Sequence, residues 1–120
     1  MPSPFVTPSV YLLGFTEVND TELIRYLEDT GNQAFIQQYR HALELGLSPA
    51  ECLVSFYAKL CYASLSPGKN DNIDKTRDIP ANLAACLAHG HGSVFGHVNF
   101  NFVITNCSRV FTHELVRHHV

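Results

Sequence analysis

Histidine marks where chemistry belongs in this sequence. Of its seven histidines, His41 stands alone, while His89, His91, His97, His113, His118 and His119 crowd into the C-terminal quarter. Imidazole ligates metals, carries protons near neutral pH and donates hydrogen bonds to anions. His89-Gly90-His91 with His97 makes one candidate ligand set, and His113, Glu114, His118 and His119 make another. The second approaches the zinc-protease motif H-E-x-x-H and misses it by one residue. Arg117 occupies the position that must hold histidine, and the imidazole follows at His118. On a helix an i, i+5 spacing turns the two rings about 140° apart, whereas i, i+4 keeps them on one face. A protease-type zinc site is excluded, and a looser histidine-based metal site stays as an alternative.

Anion binding is the other chemistry these residues offer. Arg109, His113 and Arg117 fall at i, i+4 and i+8, one basic helix face with Glu114 at its edge; Phe111, Leu115 and His118 lie opposite. Such a face suits a phosphate, although an ordinary solvated face has the same composition. Upstream, His91-Gly92-Ser93-Val94-Phe95-Gly96-His97 reads as a turn between a helix and a strand. Its glycines permit close backbone approach, and Ser93 and the histidines can bond a ligand. It has neither the G-x-G-x-x-G nor the P-loop pattern.

The elements that must position these groups follow from local pattern. Val10 to Phe15 is an expected strand. Asn19 and Asp20 compete to cap a helix through Leu23, Ile24 and Leu27 that Gly31 ends, and residues 33 to 45 form a second helix stopped by Gly46. Ser48-Pro49-Ala50-Glu51 is a capping box with proline at the first helical position. The helix it opens runs to about Ala63, with Glu51, Ser55, Lys59 and Tyr62 on one narrow polar stripe and apolar side chains elsewhere. A helix so apolar is buried or lies at a subunit interface. Residues 66 to 72 are loop by composition; a short helix from Asp78 or Ile79 closes near Gly90. From His97 to Thr105 the sequence alternates, placing Val98, Phe100, Phe102 and Ile104 on a face expected to sit on a core. Ser108 then caps a last helix, Arg109 to His119. The fold class is α+β.

Composition sets the outer limits. A chain of 120 residues with 46% hydrophobic and 16% charged residues fits one globular domain, 1–120, and excludes a disordered or coiled-coil chain. A net charge of −3 argues against a general electrostatic grip on nucleic acid. No apolar run is long enough to span a membrane, and the start at Met1-Pro2-Ser3-Pro4 lacks a secretory pattern, so a cytoplasmic location is expected. Cys52, Cys61, Cys86 and Cys107 show no C-x-x-C spacing and are expected to be reduced and mostly buried.

Taken together, Leu60-Cys61-Tyr62, the loop His89 to His97, the strand to Thr105, and Ser108-Arg109-Val110-Phe111-Thr112-His113-Glu114-Leu115-Val116-Arg117-His118 resemble the flavin-dependent thymidylate synthases, the ThyX family. The resemblance covers about residues 53–120 and runs into that family's R-H-R-x-x-S signature. It implies methylene transfer from methylenetetrahydrofolate to dUMP, with reduction by FADH2, which NADPH regenerates from FAD, giving dTMP. It implies an antiparallel sheet packed with helices and a homotetramer whose active sites lie between subunits. By the family's motif His91, Ser93, Arg117, His118 and His119 would contact FAD. Glu114, Leu115, Val116 and Arg117 would contribute to the dUMP pocket, with Arg109 near the nucleotide. No catalytic residue is assigned within the chain, and no metal is implied.

Three departures from that pattern stand out. His119 replaces the signature's second arginine, which loses a permanent charge and a planar fork of donors. Gly96 replaces a glutamate on the flavin side. The sequence stops at Val120, inside the signature, so it is expected to be the N-terminal part of such an enzyme, incomplete and inactive alone. A non-catalytic remnant that binds flavin or nucleotide is the alternative that Gly96 and His119 favour.

Overall fold

The computed structural model describes residues 5–71 and 76–118. Expectations about Met1 to Pro4, Asn72 and His119 lie outside them. The element order is β1 (Ser9–Phe15), α1 (Asp20–Asp29), α2 (Ala34–Glu44), α3 (Pro49–Cys61), α4 (Ile79–Ala88), a 3-10 helix (Gly92–His97), β2 (Phe100–Thr105) and α5 (Arg109–Leu115). Helices with one two-stranded antiparallel sheet make the chain α+β, as the sequence pattern implies.

The chain forms two compact units, of which Thr16–Val98 is the larger. Three of its helices, α1, α3 and α4, begin at side-chain caps. Asn19, not Asp20, caps α1, its side chain accepting from the Glu22 amide, which frees Asp20 to accept from the hydroxyl of Tyr39 on α2. The capping box of α3 closes in both directions: Ser48 Oγ accepts from the Glu51 amide at 3.2 Å and the Glu51 carboxylate from the Ser48 amide at 2.7 Å. Asp78 caps α4 by accepting from the Ala81 amide. The core gathers Leu23 and Leu27 of α1, Phe35, Ile36, Tyr39 and Ala42 of α2, Cys52 and Phe56 of α3, and Leu65 and Ile79. Each large apolar side chain removed from water here contributes roughly 1.5–3 kcal/mol.

The polar stripe of α3 is the main surprise of this unit. Ser55 and Lys59 are buried, at 0% and 2% exposure, because neighbouring elements supply their partners. Ser55 Oγ donates to Asn82 Oδ1 of α4 at 2.7 Å, and Lys59 Nζ donates to Gln38 Oε1 of α2 at 2.8 Å and to the Arg77 carbonyl. The helix ends at Cys61, two residues before the expected stop, and Ala63 takes a positive φ of 51°. Cys52 and Cys86 are buried, Cys107 partly so, and Cys61 exposed; all four are free thiols.

The second unit comprises residues 5–15 and 99–118 of those described. β1 pairs with β2 in the register Val10 to Ile104, Leu12 to Phe102 and Phe15 to Phe100. A bulge between Leu12 and Gly14 restores Phe15 to the face of Leu12, so Val10, Leu12, Phe15, Phe100, Phe102 and Ile104 all share one side. That face was expected on a core, yet Phe100 and Phe102 are 58% and 54% exposed. Two strands without a covering layer cannot bury it. β2 begins at Phe100, not His97, because the preceding residues are taken into the 3-10 helix. α5, capped by Ser108, stops at Leu115 and not His119: the Arg117 and His118 amides bond the Glu114 and Leu115 carbonyls in tighter i to i+3 turns. The basic face therefore continues in the helix only from Arg109 to His113, and Arg117 lies in the turn beyond.

Candidate functional site

A concavity lies within the larger unit, between the C-terminal half of α3, residues 77 and 82–86 at and within α4, and the 89–94 segment. It has a volume of about 460 Å³. Ala58, Ala85, Cys86 and Val94 give it an apolar surface; Arg77, Asn82, His89, His91 and Ser93 bring polar groups to it. Small-molecule sites have this character, a mostly apolar hollow of roughly 300–1,000 Å³ with a few polar groups.

Backbone geometry sets this edge of the cavity. α4 ends at Ala88, and Gly90 turns the chain at φ 70°. The His91 amide then reaches back to the Cys86 carbonyl at 2.9 Å, a bond across the helix end that only a left-handed residue permits. His91 is thereby fixed to the end of α4, and Ser93 follows in the first turn of the 3-10 helix. The opposite wall is tied in by the Ser55–Asn82 bond between α3 and α4. Gly96 has no heavy atom within 4 Å of where a Cβ would stand.

The structure brings His91 and Ser93 to one cavity. His89 and His91 have ring centroids 6.1 Å apart, while His97 stacks on Tyr57 at 4.0 Å with the planes 15° apart. The trio weighed as a metal site is not gathered: among the described residues no group of three His, Cys, Asp or Glu is placed to hold an ion. Arg109, Glu114, Leu115, Val116, Arg117 and His118 belong to the second unit, where every one of them is exposed. His119 lies outside the described residues.

Sequence reasoning passed over Arg77 and Asn82. Arg77 directly precedes the N-cap Asp78, so a cation at the mouth of a helix start was readable, but nothing local told that this helix start borders a cavity. Lys59 is the more hidden member. Burial is the chief reason its ammonium is held down to about 8; the Arg77 cation adds to that, and the Asp78 carboxylate opposes it.

The family of thymidylate synthase complementing protein matches residues 43–120. Proteins named flavin-dependent thymidylate synthase are similar over parts of the chain. That of Geobacter sulfurreducens is 37% identical over 70 residues, covering 58% of this chain and 30% of the relative. That of Corynebacterium glutamicum is 38% identical over 73 residues, 58% of this chain and 26% of the relative. That of Pyrococcus abyssi is 49% identical over 43 residues, 36% of this chain and 18% of the relative. The chain thus spans less than a third of the length of these relatives. No solved structure matches it. The family match takes in α3, the cavity and everything after it, more than half of the sequence, and the chain belongs to the thymidylate synthase complementing protein family.

Proposed function

We propose that this chain supplies one wall of the flavin site in a flavin-dependent thymidylate synthase, which converts dUMP to dTMP with methylenetetrahydrofolate as the one-carbon donor. FAD is the flavin in this reading, and NADPH its reductant. The observation that carries it is the meeting of His91 and Ser93 at a cavity of ligand size. The residues present fit part of such a ligand. Apolar Ala58, Ala85 and Val94 suit contact with a flat ring, Ser93 and His91 offer hydrogen bonds to ring heteroatoms, and Arg77 suits a phosphate. Bound flavin supplies the hydride that the transferred carbon requires.

The protein's own work is binding and orientation. His91, anchored through its amide to α4, sets the position of its imidazole at the cavity edge; Ser93 presents a hydroxyl that both donates and accepts. Arg117, His118 and His119 complete the flavin contacts, and Arg109, Glu114, Leu115 and Val116 with Arg117 serve dUMP, in an assembly of several chains located in the cytoplasm. No catalytic residue is placed within the chain.

Equilibrium dialysis against FAD tests this reading, followed by the flavin absorption band of the retained protein. His91→Ala and Ser93→Ala are each expected to weaken retention about tenfold, the worth of one or two good hydrogen bonds. Retention unchanged in both would remove the assignment. A second reading, a non-catalytic flavin-binding remnant, draws on the open space at Gly96. A Cβ at Gly96 meets no neighbour, and under that reading Gly96→Glu with His119→Arg raises flavin content. No rise would dismiss decay at these two positions.

A further inference from the structure

Lys59 is 2% exposed, and an ammonium so placed is costly unless its protons find acceptors. One acceptor is Gln38 Oε1 at 2.8 Å, and the other is the main-chain carbonyl of Arg77. The Phe35 ring lies below, 5.9 Å from Nζ to its centroid, within reach of cation–π attraction. Among the described residues no carboxylate forms an ion pair with Lys59. Gln38 extends the arrangement, since its Nε2 donates to Thr76 Oγ1 at 2.9 Å. On the far side the Asp78 carboxylate accepts from the Ala81 amide at 2.9 Å.

Thr76, Arg77 and Asp78 are thus each tied down in succession while Arg77 itself stays exposed. Arg77 lines the cavity beside His89, His91 and Ser93, and the described lining residues include no carboxylate. A guanidinium carried on a fixed main chain, at a hollow whose described lining holds no carboxylate, is suited to bidentate bonding of phosphate oxygens.

We propose that Arg77 is a binding residue for a phosphate group of the ligand in this cavity, and that Lys59 is its positioning residue, holding the Arg77 main chain and adding a second positive charge close to it. The proposal rests on the flavin reading only for the name of the ligand. A dinucleotide's diphosphate and a nucleotide's monophosphate share the chemistry recognised here.

Inorganic pyrophosphate, titrated into the full chain and followed by NMR at the Arg77 Nε–H and the His91 ring, tests it. Wild type is expected to bind, Arg77→Gln to bind about tenfold more weakly, and Lys59→Met to lose a similar factor although Arg77 is intact. Lys59→Arg is expected to retain most of the affinity. Where Lys59→Met does not fold, Gln38→Leu releases the same clamp and reads the same loss. The pH profile separates positioning from simple packing. The described charges around Nζ are Asp78 and Arg77; from α2 it meets only Gln38 and Phe35, neither of which titrates. Wild-type affinity should therefore fall faster, as pH rises through about 8, than that of Lys59→Arg, which keeps its charge. Failure of folded wild type to bind pyrophosphate, equal binding by Arg77→Gln, or identical pH profiles for wild type and Lys59→Arg would each overturn the proposal. A loss in Arg77→Gln for FAD with riboflavin unchanged assigns the phosphate to the flavin; a loss for dUMP with deoxyuridine unchanged assigns it to the nucleotide. Pyrophosphate binding that depends on Arg77 in a protein retaining neither FAD nor riboflavin would sustain this proposal while ending the flavin reading.

Discussion

Lys59 gives the larger unit a pH dependence whose sign follows from its burial. Its ammonium is held down from the usual 10.5 to about 8, so between those values the unfolded chain keeps a proton that the folded chain has lost. Stability rises with pH wherever the unfolded state binds more protons. Below about 8 both states are protonated and the cost of the buried charge is fully present; above 10.5 neither carries it. Two buried acids act in the opposite sense. Burial, helped by the Glu51 carboxylate, raises the Cys52 thiol to about 11, and burial with the bond to Asp20 raises the Tyr39 hydroxyl. Their opposition starts only past their ordinary values of 9.0 and 10.0. Resistance to urea should therefore increase from pH 8 to pH 9 and then flatten. Lys59→Met should abolish the increase, and Cys52→Ala should carry it to higher pH. Urea midpoints by circular dichroism check this, and a wild-type midpoint that falls over the first interval contradicts it.

Helix starts were legible at the scale of the element because their determinants are local. Ser48, Pro49 and Glu51 specify the beginning of α3 within four residues, and Asp78 with Pro80 does the same for α4. What the stripe of α3 does was not legible. Ser55 and Lys59 at i, i+4 read only as part of a narrow polar stripe, and the partners that bury them, Asn82, Gln38 and Arg77, lie 18 to 27 residues away. The site divides in the same way. His91 and Ser93 were readable as a turn carrying groups able to bond a ligand, whereas Arg77 is joined to it only by the packing of α3 on α4. Gly90 links the legible to the hidden part, for its φ of 70° closes α4 and delivers His91. No heavy atom stands within 4 Å of a Cβ there, so Gly90→Ala is penalised by backbone conformation alone, about 1 kcal/mol. Asparagine tolerates that conformation better. Urea denaturation should place Gly90→Asn between wild type and Gly90→Ala, and a Gly90→Ala midpoint equal to wild type would show that the turn is not held in this conformation.

The two units differ in how they handle apolar surface, and the last prediction arises there. The larger one closes a core over Leu27, Phe35 and Ile79, each fully buried. In the smaller one a six-residue apolar face forms, re-phased by the bulge so that no member is lost, and then meets solvent: Val10, Leu12, Phe15, Phe100 and Phe102 are all more than half exposed. A bulge that returns Phe15 to the face of Leu12 is wasted on a face left in water, and contiguous apolar patches of this kind mark association surfaces. That Val10–Phe15 and the alternating segment are strands was readable from β-favouring residues and period; the lack of a cover was not, because alternation says which side is apolar and nothing about what lies against it. The chain is expected to associate at micromolar concentration. Leu12→Thr with Phe102→Thr, a directly paired position in the register, keeps β-favouring residues and removes the centre of the patch. Sedimentation velocity should show wild type heavier than its 13.4 kDa chain and the double variant shifted towards it. A clean wild-type monomer would mean that the exposed face does not drive assembly.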